Sequence, residues 1–153
     1  MADLGISPLE IKDRHLLEEG LFSWSSRNNS DADKRSIELL VSDLFEASDT
    51  TVFQLHNASE VVGVFYVVDV DDCLEISGGL LNLGGGKFNT YHVLSFCTKL
   101  ARKRNISQLK VTVIKSHYKH AALVKYYKRY GFQMSKDRDQ FVDLILPLAS
   151  DHR

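Results

Sequence analysis

Residues 81–132 read LNLGGGKFNTYHVLSFCTKLARKRNISQLKVTVIKSHYKHAALVKYYKRYGF, and the order of segments within them decides the fold. A strand end runs into Gly84-Gly85-Gly86, then come an amphipathic run from Tyr91 to Arg104, the apolar-rich LKVTVIK, a second helical stretch and a turn. Parallel strands need a crossover of about a dozen residues or more, so a loop and helix between Asn82 and Gln108 predict a right-handed β-α-β unit. Ligands of such units sit where strand ends meet helix starts, because the first N–H groups of a helix lack internal partners and carry partial positive charge. The triple glycine stands at that place.

Working outward, Val93, Leu94, Cys97, Leu100 and Ala101 form one helical stripe, with Lys99, Arg102 and Lys103 turned away. Leu123, Tyr126, Tyr127 and Tyr130 recur at helical spacing before Gly131, a C-terminal cap. Phe132–Ser135 and Gln140–Leu146 predict a closing hairpin. Upstream, Val61–Val70 is almost continuously apolar and belongs at a sheet centre, paired with Thr51–His56 on one side. On its other side comes Leu74–Leu83, where Gly78-Gly79 predicts a bulge or the close approach of another backbone. Before these strands come a short first strand around Leu9 and Ile11 and a helix from Asp13 to about Ser26. A second helix carries Ile37, Leu40, Val41, Leu44 and Phe45, with a cap at Asp31 or Asp33.

The 153 residues suit one domain spanning 1–153, with 44% hydrophobic and 25% charged residues. No run of about 18 apolar residues appears, and the first residues lack the order of a secretion signal, so neither a membrane nor an export route is expected and the expected location is cytoplasmic. Cys73 and Cys97 are too few for a disulfide framework or a metal site. The net charge of −1 hides a partition. Residues 1–75 hold 16 acids and 5 bases, whereas residues 76–136 hold no acid and 12 bases. An acid-free block around a glycine loop suits a polyanionic ligand, a nucleotide-bearing cofactor or nucleic acid, unless the fold interleaves the blocks into a mixed surface.

This order of elements resembles the GNAT superfamily of acetyl-CoA-dependent N-acetyltransferases over nearly the whole chain. The segment LVKYYKRYGF is similar to the family's apolar residue, Leu-Tyr or Tyr-Tyr pair, three variable residues and Gly-Phe. The glycine loop answers to the family's pyrophosphate loop, although Gly85-Gly86-Lys87-Phe88-Asn89-Thr90 replaces its first basic or amide residue and its later small positions. A Walker loop fails at Leu81 and Phe88, and a dinucleotide fingerprint fails at Asn89. The resemblance implies an α/β fold with a mixed, mostly antiparallel sheet of about seven strands, a central parallel β4-α-β5 unit and four helices.

It also implies acetyl-CoA as cofactor, held by the backbone of Leu81, Asn82 and Leu83 and by the loop Gly84, Gly85, Gly86, Lys87, Phe88, Asn89 and Thr90. The implied reaction is direct acetyl transfer to a primary amine. Tyr127 falls where family members hold the tyrosine that protonates the departing thiolate, though a packed stripe residue is the competing reading. Glu75, near the general base of some protein-acetylating members, and His120, at a position that often contacts the cofactor, complete the candidate catalytic set. An exposed strand-end carboxylate and a plain surface histidine are the alternatives for those two; His117 and Trp24 are weaker candidates. The acceptor half of this fold is built by the acidic N-terminal helices and the final hairpin. Acids such as Asp31, Asp33, Glu38 and Asp43 therefore favour a cationic small molecule or a lysine-bearing peptide. The rival reading is a non-catalytic GNAT-like module whose basic block binds nucleic acid or an acidic partner. The apolar QFVDLILPL is compatible with a homodimer through a sheet edge.

Overall fold

A computed structural model describes residues 5–27, 33–57, 60–82, 90–115 and 120–148, with the side chains of 24–27 and 77–82 outside the description. Seven strands form one sheet in the order β1-β2-β3-β4-β5-β7-β6. They are β1 (Gly5–Pro8), β2 (Thr50–His56), β3 (Val61–Val70), β4 (Cys73–Asn82), β5 (Gln108–Ile114), β6 (Gln133–Asp137) and β7 (Phe141–Pro147). Four helices accompany them: α1 (Arg14–Arg27), α2 (Lys34–Glu46), α3 (Thr90–Lys103) and α4 (His120–Tyr130). Every neighbouring pair of strands is antiparallel except β4 with β5, which the crossover through α3 makes parallel.

Side chains alternate across the sheet and feed two cores. On one face Phe53, Phe65, Val67, Leu74, Ile76, Leu109 and Val111 pack with Val93, Leu94 and Cys97 of α3 and with Tyr127 of α4. On the other face Val52 and Val64 pack with Leu17 of α1 and with Ile37 and Val41 of α2. β3 is covered on both faces, as its unbroken apolar run requires.

Local chemistry fixes the ends of the elements. Asp33 caps α2 by accepting the Ser36 N–H at 2.7 Å, and that bond holds its carboxyl below the usual carboxylate range. Asp33 therefore serves the helix end, and Asp31 lies outside the described residues. Arg14 clamps the two N-terminal helices together. Its guanidinium donates to Glu18 at 3.0 Å on α1 and to the Glu38 carbonyl at 2.9 Å and the Ser42 hydroxyl at 2.8 Å on α2. Asp71 and Asp72 turn β3 into β4 with φ of 47° and 62°, which suits the two-residue turn that follows strand twist.

Two sequence expectations need correction. The first strand is Gly5–Pro8, whereas Ile11 enters a single 3-10 turn over Ile11–Asp13 and lies 57% exposed, so its hydrophobicity marks no core position. Phe132 precedes β6 without joining it, because its N–H closes on the Tyr127 carbonyl at 3.0 Å. Burial should also rank the leucines. Leu109→Ala, at a fully buried site, is expected to lower the unfolding free energy by about 2–5 kcal/mol in a urea titration. Leu39→Ala, on a side chain 56% exposed, should shift it by no more than about 0.5 kcal/mol.

Candidate active site

The parallel ladder between β4 and β5 is short. Its rungs run from Cys73–Gln108 to Ile76–Val111. Beyond them β4 stays with β3 as far as Asn82, and β5 stays with β7 as far as Ile114. The facing edges of 77–82 and 112–114 therefore have no strand partner among the described residues.

A local cause stands next to the split. Tyr66 pairs with Ser77 and Val64 with Leu81, so Gly78, Gly79 and Leu80 oppose Phe65 alone. Extra residues on one strand bend it and raise its twist, and this bulge begins two residues after the last rung shared with β5. The Gly-Gly pair tolerates the bend. β4 thus leaves β5 there, while β5 stays paired with β7 through Ile114.

The first turn of α3, which holds no acidic residue, begins after the seven positions 83–89. Leu83, Gly84, Gly85, Gly86, Lys87, Phe88 and Asn89 lie outside the described residues, as does His117. Leu81 and Asn82 are the last paired residues of β4, opposite Val64 and Gly63. Thr90 is the first residue of α3.

Tyr127 lies in the core covered by α3 and α4, 5% exposed, with its ring 5.5 Å from Phe132 and 5.8 Å from Tyr126. The Gly-Phe that follows α4 explains this placement. Gly131 takes φ of 130°, which lets the Phe132 N–H fold back onto the Tyr127 carbonyl, and Phe132 then packs against the ring it caps. Burial pushes the Tyr127 phenol far above its ordinary value, and the neighbouring Tyr126 adds to the shift. Among the described residues its hydroxyl has no hydrogen bond.

Glu75 points to the other face. Leu74 and Ile76 enter the core under α3, so the strand alternation sends Glu75 to the side of α1 and α2. There burial, and after it the charge of Glu75, raises the Tyr66 phenol. His120 begins α4 half-buried, two turns before Tyr127 on the same side of the helix. Tyr127 and Glu75 thus lie on opposite faces of the sheet.

Two groupings escaped the sequence reading. The first is a cavity of about 480 Å³ between α1 and α2, lined by His15, Glu18, Glu19, Phe22 and Ser23 from one helix and Lys34, Ile37 and Glu38 from the other. The α1 set has the spacing i, i+3, i+4, i+7, i+8, a helical face that its mixed polarity concealed. Glu38 is the one residue of the expected acidic set found there, and Asp43 is exposed elsewhere on α2. α2 leads into β2, whose first residue Thr50 pairs with Val68 of β3, itself paired with Glu75 of β4. The second is Asp143, only 4% exposed on β7, which accepts from the Thr112 hydroxyl at 2.8 Å and from Arg138 at 2.9 Å. An acid inside the apolar run FVDLILP was its only signal.

Solved structures share this architecture from end to end. The PaiA N-acetyltransferase of Thermoplasma acidophilum, solved with coenzyme A, is 15% identical over 95% of this chain and 99% of its own, with a TM-score of 0.69. The chain has the GNAT fold. The spermidine N-acetyltransferase of Vibrio cholerae, solved with CoA and spermine, covers 95% of both chains at 12% identity and a TM-score of 0.70. The ribosomal-protein-S18-alanine N-acetyltransferase of Escherichia coli covers 98% of this chain and 97% of its own at 17% identity, with a TM-score of 0.63. No family model and no curated protein matches the sequence. Among the described residues, no helix of this GNAT fold is long and apolar enough to cross a membrane.

The buried phenol gives this site a signature in alkali. A group whose folded-state pKa lies above its unfolded value contributes stability that is complete below the unfolded value, about 10 for tyrosine, and is lost as the pH climbs towards the folded one. Urea titrations from pH 8 to 11 should show stability falling above pH ~10. Tyr127→Phe should flatten that fall by up to one proton's worth, about 1.4 kcal/mol per pH unit. An unchanged alkaline slope in the variant would refute the assignment.

Proposed function

We propose that this protein is an acetyl-CoA-dependent N-acetyltransferase that passes an acetyl group directly to a cationic primary amine. The observation that carries this reading is the parting of β4 from β5 next to the start of an acid-free helix. Coenzyme A suits the residues present. Its amide arm needs a strand edge with free N–H and C=O groups, which the backbone of β4 up to Leu81 and Asn82 offers, and its pyrophosphate needs helix-start N–H groups, which α3 offers at Thr90. The segment from Leu83 to Asn89 joins these two in sequence, and its three glycines and Lys87 are proposed to add main-chain donors and one positive charge. When bound, the cofactor supplies an acetyl thioester.

The protein's own groups manage the protons. Tyr127, kept protonated by burial at any neutral pH, holds the proton that a departing thiolate requires. Glu75, beside the last rungs of the parallel ladder, and His120, at the start of α4, are the two groups proposed to take the proton from the amine. The amine is proposed to approach from the side of α1 and α2, where Glu18, Glu19 and Glu38 surround Phe22 and Ile37 in the cavity described above. That lining favours a cation with an aliphatic body, whether a polyamine-like small molecule or a lysine-bearing peptide.

Thermal unfolding with coenzyme A tests the reading. A ligand at a hundred times its Kd adds about 2.7 kcal/mol of stability, seen as a rise in Tm. In the protein that shows this rise, Tyr127→Phe should keep the shift yet lower kcat for acetyl transfer by about a hundredfold or more. An unmoved melting curve, with salt-sensitive retention on nucleic acid, would replace the enzyme by a binding module.

The acceptor side is tested separately. Glu19→Gln combined with Glu38→Gln should raise KM for spermidine or a lysine peptide several-fold and leave kcat within about twofold, as expected when only ground-state attraction is lost. An unchanged KM would remove the cavity from the acceptor path.

A further inference from the structure

On the face of the sheet that carries the N-terminal helices, α1 packs on β3 and β4 and α2 packs on β2. Strand alternation puts Thr112 of β5 and Phe141, Asp143 and Ile145 of β7 on that same face, because Val111, Val113, Val142 and Leu144 enter the opposite core. Thr112 is the first residue of β5 past the last rung shared with β4, and its partner on β7 is Asp143. The strand half of this face therefore begins at the split.

Arg138 lies across it. The turn between β6 and β7 is closed by the Arg138 N–H on the Phe141 carbonyl at 2.8 Å. From there the guanidinium donates to Asp143 Oδ1 at 2.9 Å and rests over the Phe141 ring, 4.9 Å from its centroid. The Thr112 hydroxyl donates to the same Oδ1 at 2.8 Å. Asp143 is buried, whereas half of the Arg138 side chain remains exposed. Most surface arginines are spread over several rotamers, but a buried carboxylate and a ring pin this one. A guanidinium has five donors, and among the described residues only the bond to Asp143 engages any of them. A planar fork held in place with donors to spare is the device that takes a carboxylate through two parallel hydrogen bonds. With Asp143 it is neutral as a pair, so it acts on a guest by geometry at short range and not by a long-range field.

We infer that Arg138 is the carboxylate anchor of the acceptor site, so that the preferred acceptor carries a carboxylate besides its primary amine. This rests on the acetyltransferase reading given above and narrows it. The helices offer Glu18, Glu19 and Glu38 to an ammonium group, and the strands offer Arg138 to a carboxylate. A zwitterion answers both sides, whether a lysine beside an acidic residue in a peptide or an amino acid with its own carboxylate free. A polyamine answers only one. Arg138 sets specificity in this scheme, and Asp143 positions it.

Acetylation kinetics of the full chain test the anchor with a lysine peptide bearing glutamate beside the lysine, the same peptide bearing glutamine there, free lysine, and lysine amide. KM should be about tenfold lower for a carboxylate acceptor than for its uncharged counterpart. Arg138→Ala should bring each pair within about twofold, and Arg138→Lys, which keeps the charge and loses the fork, should retain a smaller preference. Because Arg138→Ala leaves the Asp143 carboxylate buried without its partner, Arg138→Ala with Asp143→Asn repeats the measurement free of that charge and should show the same loss. A preference confined to the peptides assigns the anchor to an acidic side chain, and one confined to lysine over its amide assigns it to an amino acid's own carboxylate. Equal KM within both pairs in the parent, or a preference that survives in both alanine variants, would overturn the inference and leave the acetyltransferase reading intact. No transfer to any of the four acceptors would also overturn the anchor, and a Tm unmoved by coenzyme A would then show that the acetyltransferase reading itself has failed.

Discussion

The bend in β4 is the constraint on which the rest of this molecule depends. Three residues of β4 must fit opposite Phe65, and the strand accommodates them by twisting out of plane just where its last shared rung with β5 has been made. A sheet interior normally satisfies every main-chain donor and acceptor, since an unpaired group there costs about as much as a lost hydrogen bond. Two facing strand edges without strand partners among the described residues are therefore a feature that calls for a ligand or solvent to complete it. α3 packs on β4 and β5, and α4 packs on β5, on one face of the sheet.

The split also resolves what would otherwise be a contradiction in the placement of charge. A sheet two cores thick separates the residues on its faces, and Tyr127 and Glu75 belong to opposite faces. A proton donor and a proton acceptor on opposite sides can serve one reaction only where the sheet is open between them. The enclosed phenol and the half-buried carboxylate then have distinct tasks under the proposed reading: one remains a donor because it is shut away from water, and the other stays within reach of an incoming amine.

The chain's periodicities exposed most of this fold. The apolar stripe of α3, the continuous run of β3 and the Gly-Phe after α4 each mapped onto the element they suggested, and the α2 stripe formed its helix although only Ile37 and Val41 of it are buried and Leu40 is 42% exposed. Gly78-Gly79 marked the bulge, glycine being the residue that bends at least cost. What stayed hidden depends on tertiary partners. Nothing local says that Ile11 faces solvent, that Asp143 is neutralised by Arg138, or that Tyr91 meets Tyr130 across a sequence distance of thirty-nine residues. The cavity between α1 and α2 escaped because its lining mixes carboxylates with Phe22 and belongs to two helices at once.

Arg14 gives that cavity a further property. One guanidinium spans both helices through three hydrogen bonds and adds to the packing of Leu17 against Ile37 and Val41 in holding α1 beside α2. A visiting molecule meets a slot of preset width, with little loop or helix ordering left to be done on arrival. Under the proposed reading, selection at such a slot acts through the shape and length of the guest.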